Sequence, residues 1–394
     1  MRASYEPVSG RFVVSTPAHW DEDNARALAK HDLLRLMLMG TRRGVKGVPP
    51  EVTRLNPKFG LLAYAAAKTM SPFRAESFRF RLHPWFDRWT MKQLIPGDHI
   101  VSSFGFANES FKWVRRHGGK TLLSAGNSHP DNFWNILAEE HRRWNCPDPP
   151  VARHYYKRGK AMLEDVDYVL SPSSWVSKSF LERGFRPEQI IRDLYPVDLS
   201  CFNPNPAPRD KNRPLTVIST GMLSLRKGTP YLLEAFRLVL KTHPSARLLL
   251  TRNILDSALP VIQRYSDLPI DWAPNLPHPE LAKRLQSADI FVLPSLEEGL
   301  VRTALEAMAC GLPVILTPNT GSSDFVQPGV NGEIIPVRDP QAIADAVLKW
   351  ADRVMNASGP AVRAFDPAAL SYETFEREFL EQLAAVQLVR KRTT

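Results

Sequence analysis

An α/β fold of two doubly wound domains is what this sequence predicts, and three observations carry the prediction. Short apolar runs such as Ile290–Leu293 and residues 313–316 alternate with helical segments through the second half. That is the pattern of parallel strands buried on both faces with helices packed over them. At 394 residues the chain suits two domains of roughly 100–200 residues each. A stretch rich in Pro, Asn and Asp, from about residue 194 to 213, separates two such series and reads as a linker. The boundaries drawn are 1–195 for a first Rossmann-like domain, 196–212 for the linker, 213–370 for a second, and 371–394 for a C-terminal helix.

Taken in order, Phe12–Thr16 reads as the first strand. A helix over about residues 24–39 follows, with Leu28, Leu33, Leu34, Met37 and Leu38 on a broad apolar face. From 40 to 81, scattered Pro, Gly and basic residues predict an irregular, mobile insertion. Within it, residues 59–70 suit a short helix. Lys58, Lys68 and Arg74 flank it as they would an interfacial helix, but a buried helix is the preferred reading. Residues 99–102 and Thr121–Ser124 read as strands, 133–143 and 153–164 as helices, 168–170 as a strand and 173–183 as a helix. The second domain opens on a strand over 215–219. Thr229 as N-cap and Pro230 at the first helical position start its first helix. Leu232, Ala235, Phe236 and Val239 then recur on one helical face. Asp339 and Pro340 start another helix by the same chemistry, and a last helix spans about 372–389.

Composition narrows the function. Apolar content of 43% fits a globular protein, and the longest apolar stretch, residues 60–67, is far short of a membrane span. The first residues lack the apolar centre of a signal peptide. Cys146, Cys201 and Cys310 are few, odd in number and far apart, which argues for a reducing compartment and against a disulfide framework or a Cys-based zinc site. A cytoplasmic protein is expected, peripheral at the inner face of a membrane if its charge serves docking. Net charge is +10, and residues 1–120 hold all of it, with 20 Lys and Arg against 10 Asp and Glu. An anionic membrane face or an acidic partner suits such a surface. Nucleic acid does not, because no recognised nucleic-acid module accompanies the charge. Metal-binding motifs are absent, as are a Walker loop and a Gly-x-Gly-x-x-Gly turn.

The most informative stretch runs from Pro294-Ser295 through Glu298-Gly299 to Glu306-Ala307-Met308-Ala309, then Gly311 and Pro313-Val314. It reads as strand, glycine turn, helix and strand, with one carboxylate in the turn and one about two turns into the helix. A helix N-terminus at the carboxyl end of a parallel strand is a ready phosphate site. This stretch resembles the Glu-x7-Glu region of family 4 retaining glycosyltransferases. Gly221-x5-Lys227-Gly228, Ala288-Asp289, Gly321-Ser322-Ser323-Asp324, Gly329-x-Asn331-Gly332 and Asp339-Pro340 extend the likeness. Asp167 to Ser173 and Tyr195-Pro196-Val197-Asp198 extend it upstream, so residues 165–350 are covered well and the first 120 or so poorly.

The resemblance implies a GT-B fold, two Rossmann-like domains facing a cleft, with the last helix crossing back to the first domain. It implies a nucleoside-diphosphate sugar as donor, UDP being the first guess, with no further cofactor and no metal. A glycan or lipid-linked hydroxyl would be the acceptor, held by the first domain and the 40–81 insertion. Glu298 would grip the donor sugar, Glu306 the ribose, and the amides of Gly299 and Leu300 the diphosphate, with glycine there to allow close approach. Lys227 and Arg226 would neutralise the departing phosphate. Family members have Arg directly after the first glycine, where Met222 stands here, so Arg226 is the available replacement. His129 would face the donor sugar, with Asn127 and Ser128 as weaker candidates. Glu297 misses the family spacing, and Asp21-Glu22-Asp23 reads as an acidic first turn complementing the helix dipole. The family's glycine-rich first turn is replaced by Thr16-Pro17-Ala18-His19-Trp20-Asp21, and base contacts are expected near residues 275–277. The expected activity is therefore retaining hexosyl transfer in envelope glycan or glycolipid synthesis. The alternatives are a non-catalytic sugar-nucleotide or glycan binder on the same fold, or a GT-B epimerase or phosphorylase.

Overall fold

The computed structural model describes residues 4–17, 21–40, 44–70, 72–146, 150–205, 207, 209–210, 212–251, 254–255, 259–274, 276–356, 362 and 366–392. Strand β1 (Tyr5–Pro7) opens the chain. Seven strands then form one wholly parallel sheet: β2 (Phe12–Thr16), β3 (Leu34–Met39), β4 (Thr53–Leu55), β5 (His99–Ser103), β6 (Thr121–Ser124), β7 (Tyr168–Ser171) and β8 (Ile190–Arg192). Their spatial order is β4-β3-β2-β5-β6-β7-β8. Six more make a second parallel sheet: β9 (Thr216–Ser219), β10 (Arg247–Thr251), β11 (Ile270–Ala273), β12 (Ile290–Leu293), β13 (Val314–Leu316) and β14 (Gly332–Ile334). They lie in the order β11-β10-β9-β12-β13-β14. Strand order therefore reverses between β2 and β5 in one sheet and between β9 and β12 in the other. In open parallel sheets ligands bind outside the carboxyl ends of the strands at such reversals.

Both faces of each sheet are covered. In the second domain Phe236, Leu248, Ile290 and Trp350 fill one side, and Phe291, Leu293, Leu305 and Met308 the other. The helix Tyr372–Ala385 returns to the first domain, where Phe375, Phe379, Leu380 and Leu383 join Phe12, Leu28 and Met37 in one core. Its Glu376 takes both Lys30 and His31, and Gln382 exchanges two hydrogen bonds with the backbone of Arg192. Beyond it, β15 (Val389–Lys391) pairs antiparallel with β1.

Several expectations are corrected. The helix expected over 24–39 ends at Lys30, and residues 34–39 are β3. His31 and Asp32 break the chain there, Asp32 with φ +57°. Met37, Leu38 and Met39 are all buried, so both faces of the strand are apolar and the run mimics a helical one. The irregular insertion expected over 40–81 holds β4 and two helices, Pro57–Thr69 and Pro72–Met91. The helix at 57–69 is not buried, since Leu61 and Tyr64 are 60% and 63% exposed. Thr229 is inside its helix and Gly228 is the cap residue, while the Thr229 hydroxyl accepts from the Ser224 amide. The last helix stops at Ala385, and Val389 belongs to β15. Strand β8 was not anticipated. Asp339 caps the helix Pro340–Asn356 as expected, accepting from the Ala342 amide at 2.9 Å.

Candidate functional site

The reversal between β9 and β12 is built by two glycine-dependent loops. After β9, Gly221 has φ +101° and Gly228 φ +66°, backbone shapes that favour glycine. A Cβ on Gly228 would lie 2.0 Å from the Pro294 carbonyl oxygen, so only glycine lets this loop reach the end of β12. Leu296 closes the approach by donating to the Arg226 carbonyl at 2.8 Å. This brings Arg226 and Lys227 beside the turn that carries Glu297, Glu298 and Gly299. A Cβ on Gly221 would stand 3.5 Å from Lys227 Nζ, so the lysine head lies against that glycine.

Glu298 is held by cations. Its Oε1 lies 2.7 Å from Lys227 Nζ and 2.9 Å from an Arg226 guanidinium nitrogen. The contacts are ion pairs whose angles do not make aligned hydrogen bonds. Burial pushes its carboxyl up, but Arg226 and Lys227 outweigh that and hold it below its ordinary value. Arg226 also touches the Glu297 carboxylate at 3.4 Å and donates to its carbonyl at 2.8 Å. Glu297, wholly buried, is the raised member of the pair because desolvation exceeds the help from Arg226.

Glu306 meets the opposite treatment. It lies a little over one turn into the helix Arg302–Ala309, 2% exposed, and its Oε2 has no hydrogen-bond partner. Burial raises its carboxyl to about 7, with Arg302 opposing weakly. At the start of the same helix, the Val301 amide is taken by Ser322 Oγ at 2.9 Å. The buried amides of Gly299 and Leu300 find no acceptor among the described residues.

The first domain closes over this turn. Ser128 donates its amide to Glu297 Oε1 at 2.9 Å, and Ser173 donates its hydroxyl to the Gly299 carbonyl at 2.6 Å. Ser174 pairs with Asp324, and Asp23 with Arg302 at 3.0 Å. A Cβ on Gly299 would sit 2.2 Å from the Gly126 carbonyl oxygen. Glycine is thus required at 299 by the opposing domain's loop. Farther along, fully buried Glu140 on the helix Pro130–Arg143 forms a second clasp. It accepts from Trp144 Nε1, Tyr231 OH and Arg338 Nε, each at 2.7 Å. Tyr231 lies on the helix that follows Lys227.

His129 is the N-cap of the Pro130–Arg143 helix, 5% exposed, with Nδ1 accepting from the Asp131 amide at 3.2 Å. Burial lowers its pKa to about 4, with Arg183 adding to the effect. The ring is therefore neutral near pH 7, and with Nδ1 accepting, its proton sits on Nε2. Asn127 and Ser128 share its loop. Asp21 is not the solvated first-turn acid expected. It is fully buried and takes the Ser103 hydroxyl at 3.2 Å, and burial lifts its pKa to about 6 against the help of Ser124 and Ser103. Asp193 beside it is lifted to about 7 by burial, against its hydrogen bond from Asn24, with Asp21 adding to the rise.

The structure thus gathers Lys227, Arg226, Glu298, Gly299, Leu300 and Glu306 about one turn, with the His129 loop against it. Sequence reasoning set Glu297 aside for its spacing and missed Glu140. Nothing in local spacing marks either, since each is explained by a partner in the other domain. Asp289 is no site residue: it anchors the linker by pairing with Arg209 and Arg213 and accepting from the Thr216 amide. Residues 18–20 of the unusual first turn and residue 275 of the expected base contact lie outside the described residues. Among the described residues no three His, Cys, Asp or Glu side chains converge as metal ligands, and no helix is long and apolar enough to cross a membrane.

Residues 214–353 match the family described as Glycosyl transferases group 1. The chain is 26% identical over 251 residues to the putative colanic acid biosynthesis glycosyltransferase WcaL of Escherichia coli K12, covering 59% of this chain and 58% of WcaL. It is 27% identical over 283 residues to the GDP-mannose-dependent alpha-(1-6)-phosphatidylinositol monomannoside mannosyltransferase of Mycolicibacterium smegmatis, covering 65% and 69%. The chain spans only 51–58% of the length of the two WcaL proteins it matches, from Escherichia coli K12 and Salmonella typhimurium. HepE of Anabaena, solved with UDP and glucose, superposes with a TM-score of 0.62 at 15% identity, covering 96% of this chain and all of HepE. The chain therefore has the GT-B fold, and its residues 214–353 match a glycosyl transferases group 1 domain.

Proposed function

We propose that this chain is a family 4 retaining glycosyltransferase that moves a hexose from a nucleoside diphosphate to a hydroxyl of an envelope glycan or glycolipid. One observation carries the reading: the Glu306 carboxyl group is buried with an oxygen that no group among the described residues satisfies. Such a group costs stability unless a ligand answers it, and ribose hydroxyls are suitable donors. In this reading Glu306 binds the ribose and Glu298 the donor sugar. The free amides of Gly299 and Leu300, with Lys227, take the diphosphate.

In the reaction, the bond from the anomeric carbon to the diphosphate oxygen breaks and the acceptor oxygen bonds on the same face. The acceptor proton passes to the departing phosphate. Lys227 and the two amides stabilise the charge growing on that phosphate. Arg226, committed to Glu297 and Glu298, supports the carboxylates and is the available cation in place of the arginine missing at Met222. Neutral His129 would offer Nε2–H to a sugar hydroxyl. No cofactor beyond the donor is proposed, and UDP is the first nucleotide to test because HepE was solved with it.

The test is a thermal-shift series with nucleoside diphosphates, followed by release of nucleotide from the matching labelled sugar donor. A tight ligand raises the melting temperature by mass action. Flat responses to every nucleotide would remove the reading. Binding without donor turnover, in the parent and in Glu298→Ala alike, would leave a non-catalytic binder. Phosphate-dependent products would indicate a phosphorylase.

A further inference from the structure

The helix Pro57–Thr69 starts at the carboxyl edge of the first sheet, where the Asn56 amide donates to the Met39 carbonyl at 2.8 Å. That is the edge that carries Asp21 and the His129 loop. Phe59 and Ala66 are its buried residues, and Phe59 is stacked on Trp85 and His83 and tilted against Phe86. Its outward face is apolar. Leu55, Leu61, Leu62, Tyr64 and Met70 are 39–63% exposed, five of the eleven large apolar side chains exposed among the described residues. A concentration of exposed apolar side chains of this kind marks an interaction surface.

The charge around the patch has one sign. No Asp or Glu occurs from residue 52 to 75, while Arg54, Lys58, Lys68 and Arg74 do. Lys68 Nζ stands over the Tyr64 ring, 5.8 Å from its centroid, so the exposed aromatic carries a cation at its side. A second copy of the chain would bring these lysines against their own kind. Anionic headgroups would oppose them and leave the leucines to the acyl boundary.

We infer that this helix docks the protein on an anionic bilayer surface, with the acceptor side of the cleft turned toward the lipid. This rests on the transferase reading for what the acceptor is, a hydroxyl carried by a lipid, and not for the docking itself. The test is sedimentation of the full chain with phosphatidylcholine vesicles, with and without phosphatidylglycerol. The parent should bind the anionic vesicles and release as salt rises. Lys58→Ser with Lys68→Ser should weaken binding roughly 30-fold, at about a kilocalorie per lysine. Leu61→Asp with Tyr64→Asp should abolish it, with the thermal melt unchanged. A parent that ignores phosphatidylglycerol, or variants that bind as the parent does, would overturn the inference. So would loss of a parent dimer in the Asp variant with no vesicle binding by either protein. Vesicle binding by a chain that turns over no donor would sink the transferase reading and leave the docking standing.

Discussion

Glu298 and Glu306 stand eight residues apart on one strand–turn–helix, and the protein supplies them differently. Around Glu298 it places Lys227 and Arg226, and the carboxyl ionises more readily than in water. Around Glu306 it places apolar side chains, the opposing charge of Arg302 does not offset the burial, and the carboxyl resists ionisation. The first arrangement satisfies the fold by itself. The second leaves a demand that the fold does not meet. A ligand that binds both ends would therefore gain most at Glu306, whereas at Glu298 it must share cations that the protein already uses.

Four measurements break or sharpen this contrast. The largest effect belongs to Lys227→Ala, which removes a cation from both Glu298 and the proposed phosphate. Sugar transfer or donor hydrolysis should fall roughly 100- to 1000-fold, the usual cost of one transition-state donor. Next comes Glu306→Gln. The folded chain keeps the Glu306 proton to about pH 7, the unfolded chain only to about 4.5. Between those values the folded state holds more protons, so stability falls as pH rises and stays low above the window. The amide has no such penalty and should stabilise the nucleotide-free protein by about 3 kcal/mol near pH 8, read in urea. The same variant should lose much of its stabilisation by nucleotide.

Glu140 is the control, a buried carboxylate fully partnered and away from the proposed ligand. Glu140→Gln should destabilise by about 2 kcal/mol at neutral pH, opposite in sign to Glu306→Gln. Equal signs would dissolve the distinction between the two environments. The smallest effect is at His129, which stays neutral in the fold to about pH 4 but protonates near 6.5 when unfolded. Stability is therefore lost as pH falls through that window. His129→Asn keeps an N-cap acceptor and should recover about 1 kcal/mol near pH 5.5 in urea titrations.

The second domain was legible because its strands are short, apolar and punctuated by glycines that the geometry requires, as at Gly221 and Gly228. The first was less so. Residues 33–39 are apolar on both faces, and a strand buried on two sides has no period to distinguish it from a helix. The helix at 57–69 is apolar around much of its circumference, so its own pattern could not say which face meets solvent. Glu297 and Glu140 were illegible for another reason. Glu297 takes the Ser128 amide across the cleft, and Glu140 takes Tyr231 and Arg338, and contacts between domains leave no trace in local spacing.

The return of Tyr372–Ala385 and β15 to the first domain has a consequence for biosynthesis. Phe375, Phe379, Leu380 and Leu383 complete a core begun by Phe12, Leu28 and Met37, yet they leave the ribosome after the whole second sheet. The earlier domain thus waits with an uncovered flank while the later one matures. Truncation before residue 372 should trap it there, as insoluble chains that chaperones retain.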